Sequence, residues 1–208
     1  MKMCKRMFFA AGIMSCSMVC SSALADVVEI DGFEAEFSES FEDVSGGYKS
    51  SAWGVFDGSG SVGRTGQSGG LIVTSSWSYK SRTYPHTGGQ FMGSPGGAVE
   101  FAFDKGIHAF GGYFTTNSDF ADGVARFYDA SDDLIAEMDI SAPTGSTWEW
   151  NGWQSDESIF RVVIDGNHGS GGFVMMDDLS IMTASVPAPG ALAGLAAMLA
   201  APSRRRRR

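Results

Sequence analysis

Cysteine is missing from position 21 to the end of this 208-residue chain, where Cys4, Cys16 and Cys20 are the only three. A body without cysteine has no disulfide framework, no thiol nucleophile and no cysteine metal site. Basic side chains are nearly as scarce. From Asp26 to Asp178 stand all 24 acidic residues against seven basic ones, Lys49, Arg64, Lys80, Arg82, Lys105, Arg126 and Arg161, a net charge of −17. Such a surface repels phosphate backbones, which argues against nucleic acid as a partner, and it invites divalent cations. Hydrolase signatures are lacking too. His86, His108 and His168 are far apart and form no H-E-x-x-H spacing, and Gly58-Ser59-Gly60-Ser61 offers no strand-to-helix elbow for a nucleophilic serine.

What is present divides into three segments. Residues 1–25 carry Lys2, Lys5 and Arg6, an apolar run from Met7 to Val19, and a close on Ala23-Leu24-Ala25. A positive start, an apolar centre and an A-x-A site predict an N-terminal signal helix cut before Asp26, hence export. Ile13-Met14-Ser15-Cys16 offers a competing lipoprotein-type cut at Cys16. Residues 186–208 run Val186-Pro187-Ala188-Pro189-Gly190, an Ala/Leu/Gly-rich stretch from Ala191 to Ala201, Pro202-Ser203, and then Arg204, Arg205, Arg206, Arg207 and Arg208. As a helix, the 11 residues from Ala191 to Ala201 reach only about 16 Å, against a hydrocarbon core of about 30 Å. The arginines should stay on the cytoplasmic side and leave the acidic domain outside. So short a segment suits a transient hold better than a permanent transmembrane helix.

This tail resembles the PEP-CTERM sorting signal of Gram-negative bacteria: Pro187 and Pro189 match its proline box, followed by a short hydrophobic helix and a basic end. Ala188 stands where that family usually has Glu. The resemblance implies recognition by an exosortase, a transpeptidase-like membrane enzyme, and display on the outer surface or in the extracellular matrix of a polysaccharide-making cell. The other reading is an ordinary basic-tailed membrane anchor.

The middle, residues 26–185, holds 25 glycines among short runs of Val, Ile, Phe, Tyr and Trp with hardly any helical period, which is the pattern of many short strands joined by turns. Strands are expected at Ala52–Asp57, Leu71–Ser75, Ala98–Phe103, Ile107–Thr115, Val124–Tyr128, Leu134–Ile140, Trp148–Trp153, Phe160–Ile164 and Phe173–Ile181. Asp129-Ala130-Ser131-Asp132-Asp133 reads as a hairpin turn. Gly58 to Gly70 reads as a flexible surface loop. The expected fold is all-β, an antiparallel β-sandwich of the jelly-roll kind. The body also resembles the jelly-roll domains of carbohydrate-binding modules, through Ser40-Phe41-Glu42, Phe110-Gly111-Gly112-Tyr113-Phe114, Asn151-Gly152-Trp153-Gln154-Ser155-Asp156, and Gly172-Phe173 through Asp177-Asp178-Leu179-Ser180-Ile181.

Two sets of candidate site residues follow. The jelly-roll resemblance implies a structural Ca²⁺ shared by a first-strand Glu and a last-strand Asp, which maps onto Glu42 and onto Asp177 or Asp178; the alternative is a turn cap and a solvent-facing side chain. Trp148, Trp150 and Trp153 could form a sugar-stacking platform, with Trp148 and Trp150 on one face of a strand, or could belong to the core. Trp53, Trp77, Tyr79 and Tyr84 are second candidates for such a surface. The leading expectation is a non-catalytic polysaccharide-binding domain, with a structural surface protein and a small glycan-cleaving enzyme as alternatives. The enzyme would need two carboxylates about 5 to 9.5 Å apart in a cleft.

Overall fold

The computed structural model describes residues 27–65, 70–167 and 173–183. The signal segment 1–25, His168 and the tail 186–208, with Pro187, Ala188, Pro189 and the five arginines, lie outside the described residues. Among the described residues no helix is long and apolar enough to cross a membrane.

The strands in chain order are β1 (Val27–Glu29), β2 (Phe37–Glu39), β3 (Gly47–Lys49), β4 (Trp53–Val55), β5 (Gly60–Thr65), β6 (Leu71–Thr74), β7 (Trp77–Ser78), β8 (Arg82–Thr83), β9 (Phe91–Gly93), β10 (Ala98–Thr115), β11 (Gly123–Tyr128), β12 (Leu134–Ile140), β13 (Glu149–Gly166) and β14 (Met175–Met182). All the strand pairs are antiparallel. The chain is an all-β antiparallel sandwich.

Two strands of 18 residues each, β10 and β13, build both layers. Their pairing slips between Ala102 and Ile107 and again before Ala109, where exposed Asp104 and Lys105 mark the corner. Beyond the corner each strand finds new neighbours. In one layer the order is β12-β11-β13-β10-β5-β4, through Val162↔Phe101 and Phe101↔Val62; in the other it is β1-β13-β10-β14, continuing through β9 and β6 to β3, through Trp153↔Phe110 and Phe110↔Ile181. Where the sequence predicts two pairs of separate strands, 98–103 with 107–115 and 148–153 with 160–164, the structure bends two continuous ones. Residues 60–65 correct the expected Gly58–Gly70 loop: Val62 is buried and β5 pairs with β10 from Ala98 to Phe103.

Alternation then fills the space between the layers. Phe101, Phe110, Phe114, Phe127 and Trp153 are almost wholly buried, and Phe101 meets Phe110 at 5.3 Å between centroids while Phe127 meets Trp153 at 5.5 Å. The expected turn at Asp129 is present between β11 and β12. The Asp129 carboxylate accepts the N–H groups of Ser131 (2.8 Å) and Asp133 (2.9 Å), while Asp132 takes a positive φ of 68° that a short acidic side chain tolerates.

Candidate functional site: an acidic aromatic cleft and a carboxylate-held strap

At one edge of the sandwich the ends of β1, β12 and β13 leave a cleft of about 430 Å³. Trp150 forms a wall, set by a cross-strand pair of glycines. A side chain at Gly111 would meet the indole Cζ2 at 2.8 Å, and one at Gly152 would meet its Nε1 at 2.8 Å, so only glycine on both strands lets the ring lie across them. The indole Nε1–H donates to the Ile30 carbonyl (3.1 Å), and the Ile30 N–H donates to Gly152 O (2.9 Å), stitching β1 beside the ring. Asn151 fastens the other wall: its amide donates to Ser141 O (2.9 Å) and its Oδ1 accepts the Ser141 N–H (2.8 Å). Ser141 Oγ donates to Glu149 (2.8 Å). Around this frame stand the carboxylates of Glu29, Asp31, Asp139 and Glu149, all on exposed residues. The cleft joins a fixed, partly exposed aromatic surface to a set of strong acceptors. That pairing suits a ligand with hydroxyl donors and apolar C–H faces.

The three tryptophans of the expected platform are divided. Trp150 lies in β13 and Trp148 just before its first residue, outside the strand. An aromatic row runs between them, Trp150 to Tyr113 at 5.5 Å, Tyr113 stacked on His86 at 3.6 Å, and His86 to Trp148 at 6.2 Å. Trp148 Nε1–H donates to Tyr84 O (3.0 Å). Trp153, an odd number of positions along the strand, turns inward; it is 1% exposed, and its indole serves the core although it borders the cleft. Of the second candidates, Tyr79 and Tyr84 are exposed and Trp53 is half-buried at the opposite edge.

Asp177 and Asp178 do not face opposite sides of the sheet. The register of β10 with β14 slips between Gly111 and Tyr113, leaving Asp178 as an extra residue with φ 47°. This bulge turns both carboxylates toward one crossing segment, residues 84–90. Asp177 Oδ2 accepts the N–H groups of His86 (2.8 Å) and Thr87 (3.3 Å), while Asp178 Oδ2 meets His86 Nδ1 at 2.7 Å and accepts the Thr87 hydroxyl. Glu42 grips the other end of this strap, accepting the N–H groups of Gly89 (2.8 Å) and Gln90 (2.9 Å). Asp177 is fully buried, and burial, with the Asp178 charge adding to it, pushes its carboxyl up to about 7.

Glu42, Asp177 and Asp178, the side chains expected to share a calcium ion, are set out along the strap instead of around a single point. Their oxygens face N–H and O–H donors of the strap, and among the described residues no three Asp, Glu or His side chains gather as a metal group. Sequence reasoning missed the strap, as well as Glu29, Asp31, Asp139 and Glu149. Glu149, lying between Trp148 and Trp150, was the one with a local signal.

No protein-family model and no curated protein matches the chain. Solved structures similar to it include the CBM22-1 xylan-binding domain from Paenibacillus barcinonensis Xyn10C, 15% identical over 73% of this chain and 97% of that one with a TM-score of 0.39. Another is a family 29 carbohydrate-binding module from Piromyces equi, 10% identical over 78% and 93% with a TM-score of 0.36. A family 61 module in complex with β-1,4-galactotriose is 12% identical over 55% and 82% with a TM-score of 0.35.

Proposed function

We propose that the described domain is a non-catalytic carbohydrate-binding β-sandwich, with Trp150 as the stacking surface and the carboxylates of the β1/β12 edge as acceptors for sugar hydroxyls. The observation that carries this reading is the glycine-bedded indole beside four exposed carboxylates in one cleft. The carboxyl with the raised proton affinity, Asp177, is fully buried beneath the strap, so it is not placed to protonate a glycosidic oxygen. That favours binding over cleavage.

Affinity electrophoresis of the purified chain through gels containing neutral β-glucans, xylan or galactan tests it. Retention in at least one gel is expected, and Trp150→Ala should abolish it. A wild-type chain retarded by none of them overturns the reading and leaves a structural surface protein, and release of new reducing ends would replace it with the glycan-cleaving enzyme.

We also propose that residues 1–25 export the chain and that residues 186–208 hold it at the membrane until an exosortase-like enzyme processes it, which leaves the domain on the outer surface. Mass spectrometry of the mature protein from its host should find Asp26 at the N-terminus and no arginine cluster at the C-terminus. An intact pair of ends rejects both cuts.

A further inference from the structure

At the edge opposite the acidic cleft, β3 and β4 approach each other and the segment 49–52 wraps a second cavity of about 340 Å³. Its lining differs in kind. Most of the domain's basic side chains are engaged elsewhere: Lys80 with Asp119, Arg126 with Glu137 and Asp165, Arg161 with Asp132 and Glu100, and Arg82 over the Tyr84 ring. Lys49 and Arg64 have no carboxylate partner among the described residues, and both line this cavity; the Lys49 ammonium donates only to Ser45 Oγ (2.9 Å). Its single acidic side chain, Glu100, is bonded to Arg161 Nη1 at 3.4 Å. An adjoining surface cleft shares Lys49, Ser50, Ser51 and Trp53, and has Asp43 on its rim.

Two more donors, on residues that line the cavity, have no acceptor among the described residues. Trp53 Nε1 and Arg64 Nε are buried and unpartnered. A buried N–H without an acceptor is costly, so fully orphaned donors are rare. Neither is open to water, so an acceptor reaches them only as the side chains turn toward the cavity. A domain with 24 acidic side chains gains nothing from leaving two cations unpaired at one point on its surface unless something anionic comes there.

We infer that the β3/β4 cavity is a binding site for an anionic sugar unit, carboxylated or sulfated, held by Lys49 and Arg64 with the hydroxyls of Ser50 and Ser51. It is separate from the Trp150 cleft, and each can fail without the other.

The experiment is affinity electrophoresis of the full chain against polygalacturonate, dextran sulfate and uncharged dextran. It is repeated with Arg204 to Arg208 replaced by serine, which subtracts the tail's own attraction for polyanions. The wild-type chain should be retarded by one or both polyanions and not by dextran, polygalacturonate alone marking a carboxylate site and dextran sulfate alone a sulfate site. Lys49→Gln, and Lys49→Gln with Arg64→Gln, should weaken that binding about tenfold or more, and Trp150→Ala should leave it unchanged. Glu100→Gln, which removes the cavity's carboxylate, should strengthen it, a gain that damage to the fold would not produce. Circular dichroism confirms that each variant is folded. The inference is overturned if the serine-tailed chain ignores both polyanions, or if the folded Lys49→Gln and Glu100→Gln variants bind as tightly as the wild type.

Discussion

The two edges of this sandwich are made alike and charged oppositely. Each is a gap between the outermost strand of one layer and that of the other, β1 with β12 on one side and β3 with β4 on the other, and each has a tryptophan on its wall. At the first edge Trp150 is fixed by a bond from its indole N–H to Ile30 and is surrounded by Glu29, Asp31, Asp139 and Glu149. At the second, Trp53 Nε1 has no acceptor among the described residues, and beside it are Lys49 and Arg64, which have no carboxylate partner there. A pre-fixed ring with acceptors around it suits uncharged hydroxyl-rich ligands, whereas cationic donors without carboxylate partners suit ligands that bring their own negative charge. The comparison teaches that a strongly acidic domain can still discriminate by charge, because net charge is a global sum while a cavity of a few hundred Å³ feels the groups on its own walls, with distant exposed charges screened within about 10 Å.

The largest effect on this comparison should come from the core ring that borders the first edge. Trp153→Ala removes a 1%-exposed ring that touches Phe110, Phe114 and Phe127, and should cost about 3–5 kcal/mol by chemical denaturation, loosening both sites at once. A loss under about 1 kcal/mol would mean that the layers are not held here. Trp150→Ala should instead leave most of the stability and reduce neutral-glycan retention about tenfold or more, equivalent to about 1.4 kcal/mol. Equal loss of polyanion retention in that variant would merge the two edges into one site.

Salt separates the edges next. Raising the ionic strength from about 0.05 to 0.5 M should weaken polyanion binding several-fold and hardly change neutral-glycan binding, because exposed charge pairs are screened whereas stacking is not. Equal responses would remove the distinction.

The strap that positions Trp148 and Tyr84 on the broad face between the edges should respond to pH. The Asp177 carboxyl is raised from 3.8 to about 7 in the folded chain, so the folded state holds that proton more tightly than the unfolded one does. The linked stability is whole below about pH 4 and is lost as pH rises through about 7. Asp177→Asn, which cannot ionise, should therefore lose less stability between pH 5 and 8 than the wild type in paired thermal melts; parallel curves would mean that Asp177 does not carry the pH dependence. The smallest expected change is none. EDTA should leave the melting midpoint where it was, since Glu42, Asp177 and Asp178 accept hydrogen bonds from strap donors, and a fall would reveal a bound cation at these carboxylates.

Much of the layered fold was legible in the residues. Ala98 to Phe103 alternates cleanly, and Asp129 marks its turn with its own carboxylate. What escaped was continuity and pairing. Nothing local says that Phe103 and Ile107 belong to one bent strand, because the corner residues Asp104, Lys105 and Gly106 read as a turn until β13 is seen to bend with them. The glycine-rich Gly60–Thr65 looked like loop for the same reason: its strand character comes from pairing with β10. Of the site, the sequence yielded Trp148 and Trp150 as a pair of candidate aromatics. It could not yield Glu29 or Asp139, which are more than 100 residues apart in the chain yet border one cleft.

The sequence by itself determined the chemistry available to this protein: a cysteine-free, strongly acidic, strand-forming body between two segments that read as addresses, with aromatics enough for both a core and a surface. Those properties are sums and short-range patterns, and they need no partner to be counted. Only the tertiary structure decided which tryptophan is core and which is surface, that Asp177 and Asp178 clamp a strap, and that Lys49 and Arg64 line one cavity at one edge. Those outcomes depend on register, bulges and the bend of two long strands, which are fixed by long-range pairing and are invisible to any window along the chain.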